Sequence, residues 1–154
     1  MRIPIPAGAA AFAIILGIFP AAAADTGTAC AVGKKYIEAV QRKDFDTVVS
    51  LFAADAEFST PTGPVLHGAE IGKFYKTTVA STQNLIVRAQ SFVGSGAECY
   101  FEIWTKSKKN ADGIWVPDAD GEFIRGAIDH FTITATGKVA RLVAFPAPTA
   151  RMFK

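Results

Sequence analysis

Phe123-Ile124-Arg125-Gly126-Ala127-Ile128-Asp129-His130-Phe131-Thr132-Ile133 is an apolar, β-prone stretch with a carboxylate in its middle. If it forms a strand, successive side chains alternate between faces, and Asp129 shares a face with Phe123, Ala127, Phe131 and Ile133. That company predicts burial. An ionised carboxylate is costly to bury alone. Asp129 is therefore either paired with a cation, for which Arg125 and Arg141 are the candidates, or kept protonated by a raised pKa. In the second case it is a neutral hydrogen-bond donor in an apolar pocket.

The sequence around this stretch decides the class. Leu85 to Phe92, Ala97 to Lys106, Ile114 to Phe131 with an irregular middle at Pro117 to Gly121, and Val139 to Phe145 read as a meander of strands. Gly94-Ser95-Gly96, Asp112-Gly113 and Thr136-Gly137 supply its turns. The N-terminal half is helical instead. Val32, Tyr36, Ile37 and Val40 recur near helical spacing over Ala29 to Arg42, behind the candidate N-cap Thr28. Asp44 caps a second, short helix, after which Ala53-Ala54-Asp55 breaks to a strand at Glu57 to Ser59. Thr60 to Pro64 is a turn, Val65 and Leu66 return, and a third helix covers Ala69 to Val79. Helices followed by antiparallel strands predict an α+β fold, with the helices covering one face of a curved sheet and a cone-shaped pocket between the layers.

The ends bound the mature chain. Arg2, the apolar run Ala9 to Phe19 and Ala22-Ala23-Ala24 before Asp25 have the pattern of a cleaved export signal, residues 1–24, too short in its apolar part to span a bilayer. The expectation is an exported protein, periplasmic or secreted, with one domain over 25–154 and no membrane attachment after cleavage. Removing the signal takes one basic residue from 16, leaving 15 against 14 acidic residues, so net charge points to no partner. Lys106, Lys108 and Lys109 run into Asn110-Ala111-Asp112-Gly113, a solvated hairpin tip rather than a nucleic-acid patch. Cys30 and Cys99 either pair, which an oxidising compartment permits, or remain buried thiols. The only histidines, His67 and His130, form no tight spacing with them, so no metal site is expected. The tail from Pro146 is Pro-rich and reads as loose.

Three segments carry a resemblance. Ala127-Ile128-Asp129-His130-Phe131 resembles the segment of ketosteroid isomerases that holds a protonated oxyanion-hole aspartic acid. Lys35-Tyr36-Ile37-Glu38-Ala39-Val40 is similar to their first-helix segment with the oxyanion-hole tyrosine, and Lys73-Phe74-Tyr75 to the third-helix segment whose tyrosine bonds to the first. The chain thus resembles the ketosteroid isomerase-like members of the SnoaL-like, or nuclear transport factor 2-like (NTF2-like), superfamily from about Val32 to Phe145. The resemblance implies a cone-shaped NTF2-like, cystatin-like fold, a small hydrophobic ligand and no cofactor. Tyr36 and Asp129 take the catalytic donor positions and Tyr75 stands behind Tyr36. The family's general base, an aspartate before a proline, is replaced by Thr60 in Ser59-Thr60-Pro61. A neutral hydroxyl cannot take a proton from carbon near neutral pH, where general acid–base catalysis contributes roughly 10² to 10⁴-fold.

Two donors converging in an apolar pocket suit an oxyanion developing on a bound carbonyl. Phe58, Phe101, Ile103 and Phe131 are expected to line that pocket. Tyr100 and Trp104 alternate to the opposite face, where an exposed aromatic patch suggests a homodimer, as the family commonly forms. His130 is expected outside. His67 and Glu57 are candidates for a replacement base but read more readily as a surface turn and a solvated carboxylate; Asp118 and Asp120 reach the pocket only if their loop folds over it, and the segment Lys106 to Asp120 either lids the pocket or extends a hairpin. The functional alternatives are an isomerase or lyase acting on a hydrophobic carbonyl compound, and a non-catalytic binding protein for a small hydrophobic ligand.

Overall fold

Residues at three- and four-residue spacing carry the first helix. The computed structural model, which describes residues 28–60 and 63–147, shows α1 over Thr28–Gln41 with Ala29, Val32, Gly33, Tyr36, Ile37 and Val40 buried on one side. Gly33 lets α1 lie directly on the sheet, because a Cβ there would come within 2.8 Å of the Phe101 ring. The helix stops in a left-handed turn at Lys43 (φ 56°). Asp44 then caps α2 (Phe45–Ser50), accepting from the Thr47 amide at 3.0 Å and the Thr47 hydroxyl at 2.6 Å. The predicted export signal and the residues after Ala147 lie outside the described residues.

Ala53-Ala54-Asp55 does not break the chain. β1 runs Phe52–Ser59, with Phe52, Ala56 and Phe58 buried, so core contacts override the weak strand propensity of that stretch. β2 (Val65–His67) returns, and α3 (Ala69–Phe74) continues into a π-helical turn at Tyr75–Val79. The sheet is completed by β3 (Val87–Ser95), β4 (Glu98–Lys109), β5 (Trp115–Pro117), β6 (Glu122–Ile133) and β7 (Val139–Pro146). Its order is β2-β1-β7-β6-β4-β3, with β5 paired to β4. Among the described residues every pairing is antiparallel except β1 with β7.

Bulges curl this mixed sheet into a half-barrel around the helices, an α+β cone of the NTF2-like type. In β3 the register slips between Gln90 and Val93, where Ser91 takes φ 58°. In β6, Ile103 pairs with Ala127 but Trp104 with Arg125, leaving Gly126 as the extra residue. The alternation resets there. Phe123 therefore lies on the opposite face from Asp129, 4.1 Å beneath the Arg88 guanidinium, whereas unbroken alternation puts the two together. At the other end, Pro146 is not loose. It closes β7 opposite Ala127, and the Ala147 amide donates to the Gly126 carbonyl at 3.1 Å.

Cys30 and Cys99 form a disulfide, Cα to Cα 5.1 Å, that ties α1 to β4. No helix among the described residues is long and apolar enough to cross a membrane.

Candidate functional site

Between α1, the π-helical turn and the concave side of β4, β6 and β7 lies a cavity of about 310 Å³. Among the described residues its lining is apolar but for three side chains, Tyr36, Tyr75 and Asp129. Tyr36 reaches it from the buried stripe of α1, and its ring stands edge-on to Phe131 at 5.1 Å. Tyr75 opens the π-helical turn and packs among Phe45, Phe52, Phe58 and Phe74. The two hydroxyls are 2.7 Å apart. When Tyr75 donates to Tyr36, the Tyr36 proton is free for a ligand. Asp129 comes from the inward face of β6 and is 4% exposed.

Among the described residues no cation pairs with Asp129. Arg125 pairs with Glu102 at 2.7 Å and Arg141 with Glu57 at 3.7 Å, both on the outer face of the sheet, which removes the ion-pair alternative for the buried carboxyl. With no counter-charge, burial pushes Asp129 up to about 7 from an ordinary 3.8. Burial raises both tyrosines as well. For Tyr36 the Asp129 charge adds to this and the bond to Tyr75 partly offsets it; for Tyr75 the neighbouring Tyr36 adds most after burial. Both phenols are neutral donors at any ordinary pH. Glu102 goes the other way, held at about 2 by Arg125 first and then by Trp104 and Gln90.

The structure sorts the remaining residues. Phe58 and Ile103 line the cavity. Phe101 and Phe131 do not: α1 lies directly over them, so Phe101 stacks on Phe92 at 4.9 Å beneath Gly33 and Phe131 supports Tyr36. Val40, Phe74, Val79 and Leu85 line the cavity without having been singled out from sequence, although Val40 shares the apolar stripe of Tyr36. Thr60 is outside the lining. Its hydroxyl accepts from the Gly63 amide at 3.0 Å and donates to the Pro64 carbonyl at 3.3 Å, so it closes the turn after β1. His67 and Glu57 face one another at 3.9 Å across β1 and β2, well exposed. Asp118 holds the Asp120 amide at 2.7 Å in a loop away from the cavity. His130 is on the outer face, its ring stacked on Tyr100 at 4.0 Å. Among the described residues no cluster of three or more metal-ligating side chains occurs.

The profile of the SnoaL-like domain matches residues 34–142, a span that includes Tyr36, Tyr75 and Asp129. The chain belongs to the SnoaL-like domain family. No curated protein matches it in sequence at a significant level. Among solved structures, this SnoaL-like chain is similar to the epoxide hydrolase/cyclase-like enzyme SalBIII of pyran ring formation in salinomycin (20% identity, 79% of this chain and 92% of that one, TM-score 0.61). It is also similar to a candidate ketosteroid isomerase from Kribbella flavida (16%, 80% and 81%, TM-score 0.63). A third neighbour is a Mycobacterium tuberculosis protein solved in complex with estradiol-17beta-hemisuccinate (16%, 80% and 96%, TM-score 0.61). At these identities the likeness is one of fold.

Proposed function

We propose that this SnoaL-like protein is exported and binds a small hydrophobic molecule by a carbonyl or phenol oxygen, with Tyr36 and protonated Asp129 as donors and Tyr75 orienting Tyr36. The observation that carries this is the cavity lining: three polar side chains, two of them hydrogen-bonded together, in an otherwise apolar wall. Neutral donors in a dry site stabilise negative charge on a bound oxygen far better than water-exposed ones. The volume lies at the lower end of the ~300–1,000 Å³ range of small-molecule sites and suits a compact ligand. The estradiol-17beta-hemisuccinate complex of one fold neighbour agrees with the ligand class. A homodimer through the outer sheet face fits the exposure there of Tyr100 and Phe145.

A second reading, an isomerase or lyase, is favoured by one feature. A carboxyl near 7 is half-ionised at neutral pH and is able to both give and take a proton. Thr60, turned into its own loop, offers no separate base. Titration calorimetry with a phenolic steroid tests the site: binding to the wild type, lost in Tyr36→Phe and Asp129→Leu, is expected, and absence of binding to the wild type would sink both assignments. Assaying Thr60→Asp on a Δ5-3-ketosteroid separates the two readings. A large rise over wild type means that only the base was missing, whereas measurable wild-type turnover abolished by Asp129→Asn makes Asp129 the proton carrier.

A further inference from the structure

Asp129 sits on the inward face of β6, with Ala127 two residues before it, Phe101 opposite on β4 and Ala144 opposite on β7. Ala127 and Ala144 both line the cavity, and their short side chains leave room for a head group against the carboxyl. The titratable groups that face Asp129 are Tyr36 from α1 and Tyr75 from the π-helical turn, while β4 and β7 present the uncharged Phe101 and Ala144. Among the described residues no lysine or arginine lines the cavity. The hairpin that starts at Lys106 and carries Lys108 and Lys109 contributes no residue to the lining and does not lid it. The cavity therefore holds a carboxyl and brings no counter-ion of its own.

A ligand can supply what the lining lacks. An anionic ligand would meet the ionised Asp129 as a like charge, with no cation in the wall to offset the repulsion. A primary ammonium is compact and has three N–H donors, which the two carboxylate oxygens and the Tyr36 oxygen can accept. The Tyr36 oxygen keeps a lone pair whichever way its 2.7 Å bond to Tyr75 runs. The proton balance favours such a pair. The carboxyl titrates at about 7, whereas an alkylamine holds its proton up to about 10.4, the lysine value, so in the complex the proton resides on nitrogen. Desolvation of the carboxyl, half of what normally opposes a buried ion pair, is already built into the folded chain. We propose that this cavity also binds a primary alkylamine as its ammonium ion, paired with the Asp129 carboxylate and the Tyr36 oxygen, its hydrocarbon body lying against Ile37, Val40, Leu85 and Ile103. This ligand shares the cavity with the carbonyl compound and does not depend on that reading, because it uses Asp129 as an anion rather than as a donor.

Titration calorimetry of the full chain with cyclohexylmethylamine and its neutral isostere cyclohexylmethanol is the test. At pH 8 the amine is expected to bind more tightly than the alcohol by about tenfold or more, the effect of a close charge pair away from water. Below pH 7 the affinity of the amine should fall by about tenfold per unit, while that of the alcohol stays level. Titrations in buffers of different ionisation enthalpy count the protons. About one should be released per amine bound at pH 6, where Asp129 must give up its proton to pair, and almost none at pH 8.5. Asp129→Asn should erase the advantage of the amine and retain binding of the alcohol; the proton count, read in the wild type, does not depend on how that variant folds. An amine no tighter than the alcohol at pH 8, an advantage that survives in Asp129→Asn, or amine binding at pH 6 without proton release overturns the proposal. A phenolic steroid that binds where the amine does not would fell this inference alone, whereas an amine that binds where the steroid does not would leave it standing without the carbonyl reading.

Discussion

Asp129→Asn should convert a pH-dependent stability into a flat one. In the folded chain the carboxyl titrates at about 7 against an ordinary 3.8, with burial as the cause. The folded state therefore binds the proton more tightly than the unfolded state, and stability falls as pH rises between these two values. Below about 4 both states are protonated and nothing is lost; above about 7 the full penalty is present. The difference of about 3 units, at about 1.4 kcal/mol each, is about 4 kcal/mol. The asparagine amide is neutral throughout, so any fixed offset that it brings does not vary with pH. Urea unfolding of wild type and variant, with the disulfide intact, across pH 4 to 9 is the assay. The variant is expected to gain on the wild type steadily through the window and to level off above pH 7. His67 and His130 are present in both proteins and cancel. A difference in stability that stays constant from pH 4 to 9 would refute the burial of an unpaired carboxyl.

Three further outcomes follow from named contacts. Tyr36→Phe or Tyr75→Phe alone leaves one buried hydroxyl without its 2.7 Å partner and should cost about 1–3 kcal/mol, while the double variant should cost less than the sum, measured as a thermodynamic cycle. Cys30→Ala with Cys99→Ala releases a loop closed over a separation of 69 residues, which the chain-entropy relation puts at about 4 kcal/mol; dithiothreitol should lower the wild-type midpoint and leave the variant unmoved. Glu102, held at about 2 by Arg125 and its other partners, contributes stability that is present above its ordinary 4.5 and lost as pH falls towards 2. Glu102→Gln should therefore flatten the acid limb of the stability curve.

Local chemistry made much of the fold legible. α1 sits within a residue of where spacing puts it and α2 starts directly after its Asp44 cap, because capping and helical periodicity are decided by neighbours in sequence, but α2 ends at Ser50, short of the Leu51 and Phe52 that its apolar spacing includes. The early start of β1 was not legible, since Ala53-Ala54-Asp55 becomes strand only where Phe52 and Ala56 have a core to enter. The same limit applies to Phe123. One extra residue at Gly126 inverts the side chains of β6 before it, and the sequence carries no more than the glycine itself, which inside a strand marks either a bulge or a close backbone approach. Alternation identified the inward face of β4 and β6, yet only the close approach of α1 at Gly33 to the sheet decides that Phe101 and Phe131 are floor while Ile103 and Ala127 are cavity wall. Thr60 shows a related gap: its place in the chain was known, but its hydroxyl had already been spent on the turn.

The role of Asp129 can be divided by the pH dependence of binding, because donor and base require opposite protonation states. A ligand that accepts a hydrogen bond from the carboxyl needs the proton on Asp129. Its affinity should be constant below about 7 and fall by about tenfold per pH unit above it, as the buried carboxylate turns from donor to a negative charge facing the ligand oxygen. A ligand that gives its proton to the carboxylate should show the reverse, rising through the same window. Tyr36 and Tyr75 do not confuse the measurement, since burial lifts both phenols above their ordinary range and neither ionises there. Calorimetry from pH 5 to 9 with a non-ionising ketone analogue of the phenolic steroid isolates the donor case, and Asp129→Asn should remove the dependence while keeping part of the affinity. An affinity that rises with pH for the ketone would contradict a donor role, because a carbonyl has no proton to give to a carboxylate.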